Sequence, residues 1–165
     1  MRVIDNLLTK ENFNGLKQEL IYNKKVPWYW SDRKVTQGDG TDTLVHMVYR
    51  DMKPKSEFFN LIHTYFSALL NVTSWYRIKM NCTWRETKPK VFGYHTDIGD
   101  VANKNIKTAI FYCTTTDGPT VFQDTQEEVE CIENRLLIFD STRLHSGQSH
   151  IYAPARRIVI NFNYF

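Results

Sequence analysis

His95-Thr96-Asp97 is the sharpest chemical signal in the chain. Residues i and i+2 of an extended segment point to the same side, so this tripeptide offers one imidazole and one carboxylate together to a single ion. A second imidazole must come from elsewhere, and His145 follows 50 residues later. It sits in Phe139-Asp140-Ser141-Thr142-Arg143-Leu144-His145-Ser146-Gly147, where an apolar run gives way to a polar turn. Two histidines and a carboxylate on one face of an octahedral ion leave three positions open, which suits non-haem Fe(II). Alone, H-x-D is a weak motif, and His95 reads equally well as a surface histidine.

Arg157 sharpens the pattern. It lies 12 residues after His145, and a turn containing Pro154 would return the chain as an antiparallel strand beside that histidine. A guanidinium there can grip a carboxylate through two parallel hydrogen bonds. The distal end of 2-oxoglutarate requires such a grip.

These residues need elements to hold them. Phe13, Leu16 and Leu20 recur at helical spacing, with Thr9 as N-cap. A second helix is expected from Ser56, after Pro54, with Phe59, Ile62, Phe66 and Leu69 as its stripe. Between the helices lie Trp28-Tyr29-Trp30, a polar loop at Gln37-Gly38-Asp39-Gly40, and a strand near 44–49. From residue 75, short runs rich in Ile, Val, Thr, Tyr and Phe alternate with turn signals at Gly99-Asp100, Asp117-Gly118-Pro119 and Glu133-Asn134. Strands are expected near 75–83, 91–95, 107–113, 119–123, 127–132, 135–139, 144–149 and 157–164.

This order predicts an α+β, mainly β chain. The expected fold is a double-stranded β-helix (jelly roll) with N-terminal helices packed on one sheet. No linker or repeat divides the 165 residues. One domain over 1–165 is expected, with helical support over about 1–74 and the jelly-roll core over about 75–165.

Two strands are two-faced. In the last, Arg157, Asn161 and Asn163 share a side with Val159, opposite Ile158, Ile160, Phe162 and Tyr164. Near residue 80, Arg77, Lys79, Asn81 and Thr83 oppose Ile78, Met80, Cys82 and Trp84. Alternation alone permits two arrangements. Either the polar face meets solvent, or helices cover the apolar face and the polar one lines the inside of the roll.

The order H-x-D, distal His, then R-x-x-x-N on the last strand resembles the 2-oxoglutarate/Fe(II) oxygenases of the prolyl-4-hydroxylase-like type, over roughly residues 75–165. It is similar above all to small single-domain, phage-encoded members. The matching runs are Leu136-Leu137-Ile138-Phe139-Asp140-Ser141, His145-Ser146-Gly147 and Arg157-Ile158-Val159-Ile160-Asn161-Phe162. The resemblance implies that His95, Asp97 and His145 bind Fe(II), and that Arg157 pairs with the C5 carboxylate of 2-oxoglutarate. It places the Tyr112 hydroxyl on that same carboxylate, with Thr108 and Ile110 on the same strand face, lining the co-substrate pocket. It also has Asn81 reaching the co-substrate and Asn161 lining the pocket. Gly118-Pro119-Thr120 stands where many members have a Gly-Gly turn. Arg156 is a competing anchor, but alternation puts it on the other face.

The implied reaction uses O2, converts 2-oxoglutarate to succinate and CO2, and hydroxylates a substrate. A peptidyl proline or another amino-acid residue is the first candidate. Related halogenases carry a small residue at the position of Asp97, so a carboxylate there implies hydroxylation. Loops at a jelly-roll mouth carry selectivity, which makes Trp28, Trp30, Trp84 and Tyr94 candidates to face the substrate. Each is equally readable as a core or surface aromatic, as Tyr112, Asn81, Thr108 and Asn161 are as ordinary sheet residues. His46 and His63 read as structural and His150 as solvated.

Composition bounds the rest. A net charge of +3 with interspersed signs does not argue for nucleic acid. Cys82, Cys113 and Cys131 are odd in number and far apart, and read as buried thiols. There is no signal-peptide pattern and no apolar run near the ~18 residues of a membrane span. A cytoplasmic protein is expected (host cytoplasm if phage-encoded), with 2-oxoglutarate and a peptide or small molecule as partners and no membrane. Two other classes fit the residues: a non-catalytic jelly-roll binding module, and a cupin-like metalloenzyme that does not use 2-oxoglutarate.

Overall fold

The computed structural model describes residues 1–32, 42–98, 105–152 and 156–165. The stretch at 37–40, the Gly99-Asp100 turn and Pro154 lie outside them.

Thr9 accepts a hydrogen bond from the Asn12 amide and starts helix α1 (Lys10–Lys17), which runs on into a π-helical turn over Gln18–Tyr22. Helix α2 spans Phe59–Phe66. The strands are β1 (Arg2–Ile4), β2 (Tyr29–Ser31), β3 (Thr43–Arg50), β4 (Lys53–Pro54), β5 (Trp75–Trp84), β6 (Lys107–Tyr112), β7 (Thr116–Phe122), β8 (Glu128–Cys131), β9 (Arg135–Asp140), β10 (His145–Gly147) and β11 (Arg156–Tyr164). Among the described residues no helix is long and apolar enough to cross a membrane.

The larger sheet runs β1-β9-β6-β11-β5-β3-β2, with β4 on β3, and the smaller runs β10-β7-β8. Every pairing is antiparallel. This is the predicted jelly roll with helices on one sheet. Phe13, Leu16, Leu20, Ile62 and Phe66 from the helical segments pack with Ile78, Met80, Phe111, Ile160 and Phe162 in one apolar cluster. A second cluster between the sheets holds Ile110, Tyr112, Phe122, Leu137, Phe139 and Val159. Both faces of β11 are thus buried, and only Arg156 at its start is exposed. The polar side of β11 lines the inside of the roll, which settles the ambiguity that alternation left.

Departures from the sequence expectations have local causes. Among the described residues, the first 74 positions contribute strands β1 to β4 besides the helices. Helix α2 ends at Phe66, so the helical period does not extend to Leu69; Leu69 is exposed and Leu70 is buried instead. No strand forms over 91–95. Two isolated bridges stand there, Val91 with Gln148 and His95 with His145. Four residue steps on one side face three on the other, so an extra residue breaks the ladder as in a β-bulge. His150 is fully buried rather than solvated. At Gly118 the β7 backbone approaches so closely that a Cβ would lie 2.7 Å from the Gln148 carbonyl and 3.1 Å from the His150 amide. The three cysteines are free and buried as expected.

Phe66 is fully buried, with ring centroids 4.8 Å from both Phe111 and Phe162. Phe66→Ala should cost about 3–5 kcal/mol, read as a fall in urea midpoint at unchanged slope.

Candidate metal centre

His95 and His145 face each other across an antiparallel bridge, each amide donating to the other's carbonyl at 3.0 Å. Directly opposed residues share a face, so the imidazoles meet with centroids 4.7 Å apart. His95 Nδ1 lies 3.2 Å from the Gly93 carbonyl and His145 Nδ1 lies 3.0 Å from that of Arg143. Donation to those carbonyls leaves each Nε2 with its lone pair outward, the form a metal ligand takes. Burial, and then the neighbouring His145, lower the His95 pKa and favour that neutral form. Asp97 Oδ2 stands 3.9 Å from His145 Nε2. One ligand atom from each of the three side chains lies within 4.8 Å of the others.

Asp97 is held from several sides. It accepts from Arg77 Nη2 at 3.0 Å, Thr108 Oγ1 at 3.0 Å, Asn161 Nδ2 at 3.1 and 3.2 Å, and Asn163 Nδ2 at 3.3 Å. Asn163 also accepts from Arg77 Nε at 2.9 Å and donates to Thr108 at 2.9 Å. Burial alone would raise the carboxyl pKa, but Arg77 and the two histidines outweigh it and hold Asp97 well below the usual range.

The cavity holding the triad is lined further by Lys79, Asn81, Thr83, Thr120, Arg157 and Asn161, with Ile110 and Val159. Arg157 precedes Asn161 by four residues, roughly 13 Å along the strand, so triad and guanidinium occupy opposite ends. Arg157 is 6% exposed. Its Nε donates to the Gly118 carbonyl at 3.0 Å, its Nη2 lies 3.4 Å from Thr120 Oγ1, and it sits 5.6 Å from the Tyr112 ring centre. Among the described residues no carboxylate forms an ion pair with it. Thr83 Oγ1 and Asn161 Oδ1 are buried in the same cavity without a hydrogen-bond partner among the described residues.

Several expected residues stand elsewhere. Tyr112 does not line the cavity; its hydroxyl bonds Thr120 Oγ1, which does, at 2.8 Å, and burial pushes its pKa up to about 12. Thr108 braces Asp97 instead of lining the cavity. Trp30 pairs with Leu44, which pairs with Cys82, so alternation sends it to the helix-covered side, away from the triad. Trp28 and Trp84 share that parity; Trp28 packs on the core and Trp84 is 38% exposed. None of these tryptophans, nor Tyr94, lines the cavity. His46 bonds the Pro27 carbonyl and Ser56, and His63 accepts from Trp75 Nε1, so both are structural as expected.

Arg77, Lys79, Thr83, Thr120 and Asn163 enter the site although no motif marks them. Alternation puts Arg77, Lys79, Thr83 and Asn163 on the right faces; Thr120 ends the Gly118-Pro119-Thr120 stretch, but nothing in the sequence gives its side chain a role.

No protein-family model matches the chain, and no curated protein matches it in sequence. Solved structures do. A Trichoplax adhaerens prolyl hydroxylase in complex with a hypoxia inducible factor peptide fragment aligns at TM-score 0.67 and 17% identity, over 99% of this chain and 82% of that one. The viral collagen prolyl hydroxylase of Paramecium Bursaria Chlorella virus-1, in its 2OG complex, aligns at 0.61 and 14%, over 99% and 94%. HygX of Streptomyces hygroscopicus, with nickel and 2-oxoglutarate bound, aligns at 0.64 and 10%, over 98% and 81%. The chain has the fold of the prolyl hydroxylases and 2OG-Fe(II) oxygenases. In this oxygenase fold, the two-histidine, one-carboxylate set is a donor set suited to Fe(II).

Lys79 gives a test of the cavity's electrostatics. Burial first, then Arg77, lower its pKa to about 8 from 10.5. A lysine depressed on folding costs stability wherever both states are charged, and the cost is relieved as pH rises from about 8 to 10.5. Lys79→Met should therefore stabilise the protein at neutral pH, and its advantage in urea unfolding should shrink towards about pH 10.

Proposed function

We propose that this protein is an Fe(II)- and 2-oxoglutarate-dependent oxygenase that hydroxylates its substrate. The observation that carries the reading is buried Arg157, which has no carboxylate partner among the described residues and faces a cavity whose far end is the His95-Asp97-His145 set. Buried charges are normally paired, so the cavity calls for an anion that spans it. The orphan Thr83 hydroxyl adds a donor at the arginine end, since Thr83 pairs with Arg157 in the sheet register. A binding module would need no metal set, and a cupin-like enzyme without 2-oxoglutarate would need no Arg157.

His95, Asp97 and His145 would hold the metal, and Arg157 the distal carboxylate of the co-substrate. When bound, iron and 2-oxoglutarate supply the oxidative chemistry, giving succinate, CO2 and a hydroxylated product. The chain's own groups orient and enclose. Arg77, Thr108, Asn161 and Asn163 fix the Asp97 carboxylate. The Gly93 and Arg143 carbonyls fix the imidazole tautomers. Gly118, Thr120 and the Tyr112 ring fix the plane of the Arg157 guanidinium. Ile110 and Val159 make an apolar wall that keeps water from the co-substrate.

The likeness to prolyl hydroxylases keeps a peptidyl proline or other amino-acid residue as a candidate substrate, and HygX keeps small molecules. The test is anaerobic reconstitution with Fe(II) followed by 2-oxoglutarate. A weak visible charge-transfer band is expected in wild type. Folded, iron-loaded protein that gives no band with 2-oxoglutarate would defeat the proposal in favour of a binding module.

A further inference from the structure

Beside the metal centre a second cavity of about 380 Å³ lies over paired strands β2, β3 and β5. It reaches His95 and Asp97, and its charged lining is Arg50, Arg77 and Lys79, with Asn81 alongside. The register explains the crowding. Arg77 and Lys79 are i and i+2 on β5 and share its inner face. A register shift between Met47 and Tyr49 interrupts the β3–β5 ladder just before Arg50 at the end of β3. Three cations thus surround one cleft.

Among the described residues few anions answer them. Arg77 pairs with Asp97. Arg50 lies 3.7 Å from Asp51, but both side chains are largely exposed and such a pair holds little charge in place. Lys79 has no ion pair among the described residues. A divalent metal, Arg157, Asp97 and a dianionic co-substrate would sum to no net charge, and Arg77 would then share Asp97 with the metal, so the co-substrate leaves the positive charge of the cleft in excess. Burial is the main cause of the lowered Lys79 pKa, and repulsion from Arg77 and, less, Arg50 adds to it, so a buried cation is kept beside two others against stability.

We propose that this cleft receives an anionic group of the primary substrate, a carboxylate or a tetrahedral oxyanion, and holds it on Arg50 and Lys79 with the C–H bond to be oxidised directed at the metal. The identity of the anion as a substrate group rests on the oxygenase reading above; the anion site itself does not. It favours an acidic small molecule or acidic residue over a neutral prolyl peptide.

The probes are sulfate, for a tetrahedral oxyanion, and N-acetylglycine, for a carboxylate. Each is titrated by calorimetry into protein saturated with Fe(II) and 2-oxoglutarate under anaerobic conditions. At least one should bind with Kd below about 1 mM at low salt, weakening as salt rises. Arg50→Gln and Lys79→Met should each weaken it about tenfold, the loss expected for one charge-assisted contact. Arg50→Gln should leave the charge-transfer band and its 2-oxoglutarate dependence unchanged. Which probe binds assigns the anion class. In a succinate-release screen, carboxylic or phosphoric acids should stimulate turnover while their amides or neutral esters do not.

Absence of binding by both probes with the band intact would overturn the cleft and leave the oxygenase reading standing. So would binding that Arg50→Gln does not alter, or a Lys79→Met variant that loses 2-oxoglutarate affinity but keeps the probe, which would assign Lys79 to the co-substrate. Probe binding in a protein that shows no band would remove the substrate claim.

Discussion

Arg157→Ala should raise the 2-oxoglutarate concentration needed for half-saturation by roughly a hundredfold, the equivalent of losing a bidentate, charge-assisted pair in a desolvated site. Turnover at saturating 2-oxoglutarate should change far less, because the distal carboxylate is remote from the oxidised carbon and contributes equally to ground and transition states. Arg157→Lys should recover only part of the affinity, since an ammonium lacks the planar fork. The geometry separates this from a structural role. Arg157 donates to the Gly118 carbonyl at 3.0 Å, and losing that contact leaves the carbonyl without this donor. Against this, the variant removes a buried charge that has no carboxylate partner among the described residues. The two effects oppose each other, so the melting temperature should move little while 2-oxoglutarate affinity collapses. A large drop in stability with unchanged affinity would make Arg157 a strut of β7 instead of an anchor.

Arg157 is legible in the sequence because its signal is local: one residue type, one spacing from His145 and one alternation that puts Arg156 on the other face. The same holds for His95 and Asp97, whose i, i+2 relation survives even though the predicted strand at 91–95 is only two bridges. What the sequence hides depends on which strands become neighbours. Arg77 braces Asp97 because β5 lies beside β11 with Arg77 opposite Asn163. Alternation puts Arg77 on a polar face but does not say which carboxylate it will meet. The tryptophans depart from expectation for the same reason. Aromatics in a loop-like segment suggest a mouth, but Tyr29–Ser31 pairs with β3, and that register turns Trp30 away from the triad. His150 reads as solvated because it stands in a turn, whereas Gly118 lets β7 close over it.

His145→Ala should abolish Fe(II) retention and lower turnover by at least about a thousandfold, on the order of 4 kcal/mol of transition-state stabilisation, while leaving the protein folded. Asp97→Ala should lose the metal too, but with a second cost. Asp97 neutralises Arg77, whose side chain is only 18% exposed, and it accepts from Thr108, Asn161 and Asn163 as well. Its removal leaves Arg77 without its counter-charge and three polar groups short of a partner, so a loss of several kcal/mol in stability is expected. The pH dependence has a definite sign. A carboxyl held below its ordinary value of 3.8 contributes stability that is present above that value and lost as pH falls through the folded one. Metal-free wild type should therefore lose stability on acidification more steeply than Asp97→Ala. In His145→Ala the Asp97–Arg77 pair, the largest influence lowering the Asp97 pKa, remains while the smaller one from His145 is lost, so that variant should have an acid slope between those of wild type and Asp97→Ala while holding no iron. Metal loss and fold loss are thus read on two separate axes. A His145→Ala protein that retains iron would remove His145 from the ligand set. An Asp97→Ala protein with wild-type stability and acid slope would show that the carboxylate network contributes nothing to holding the fold.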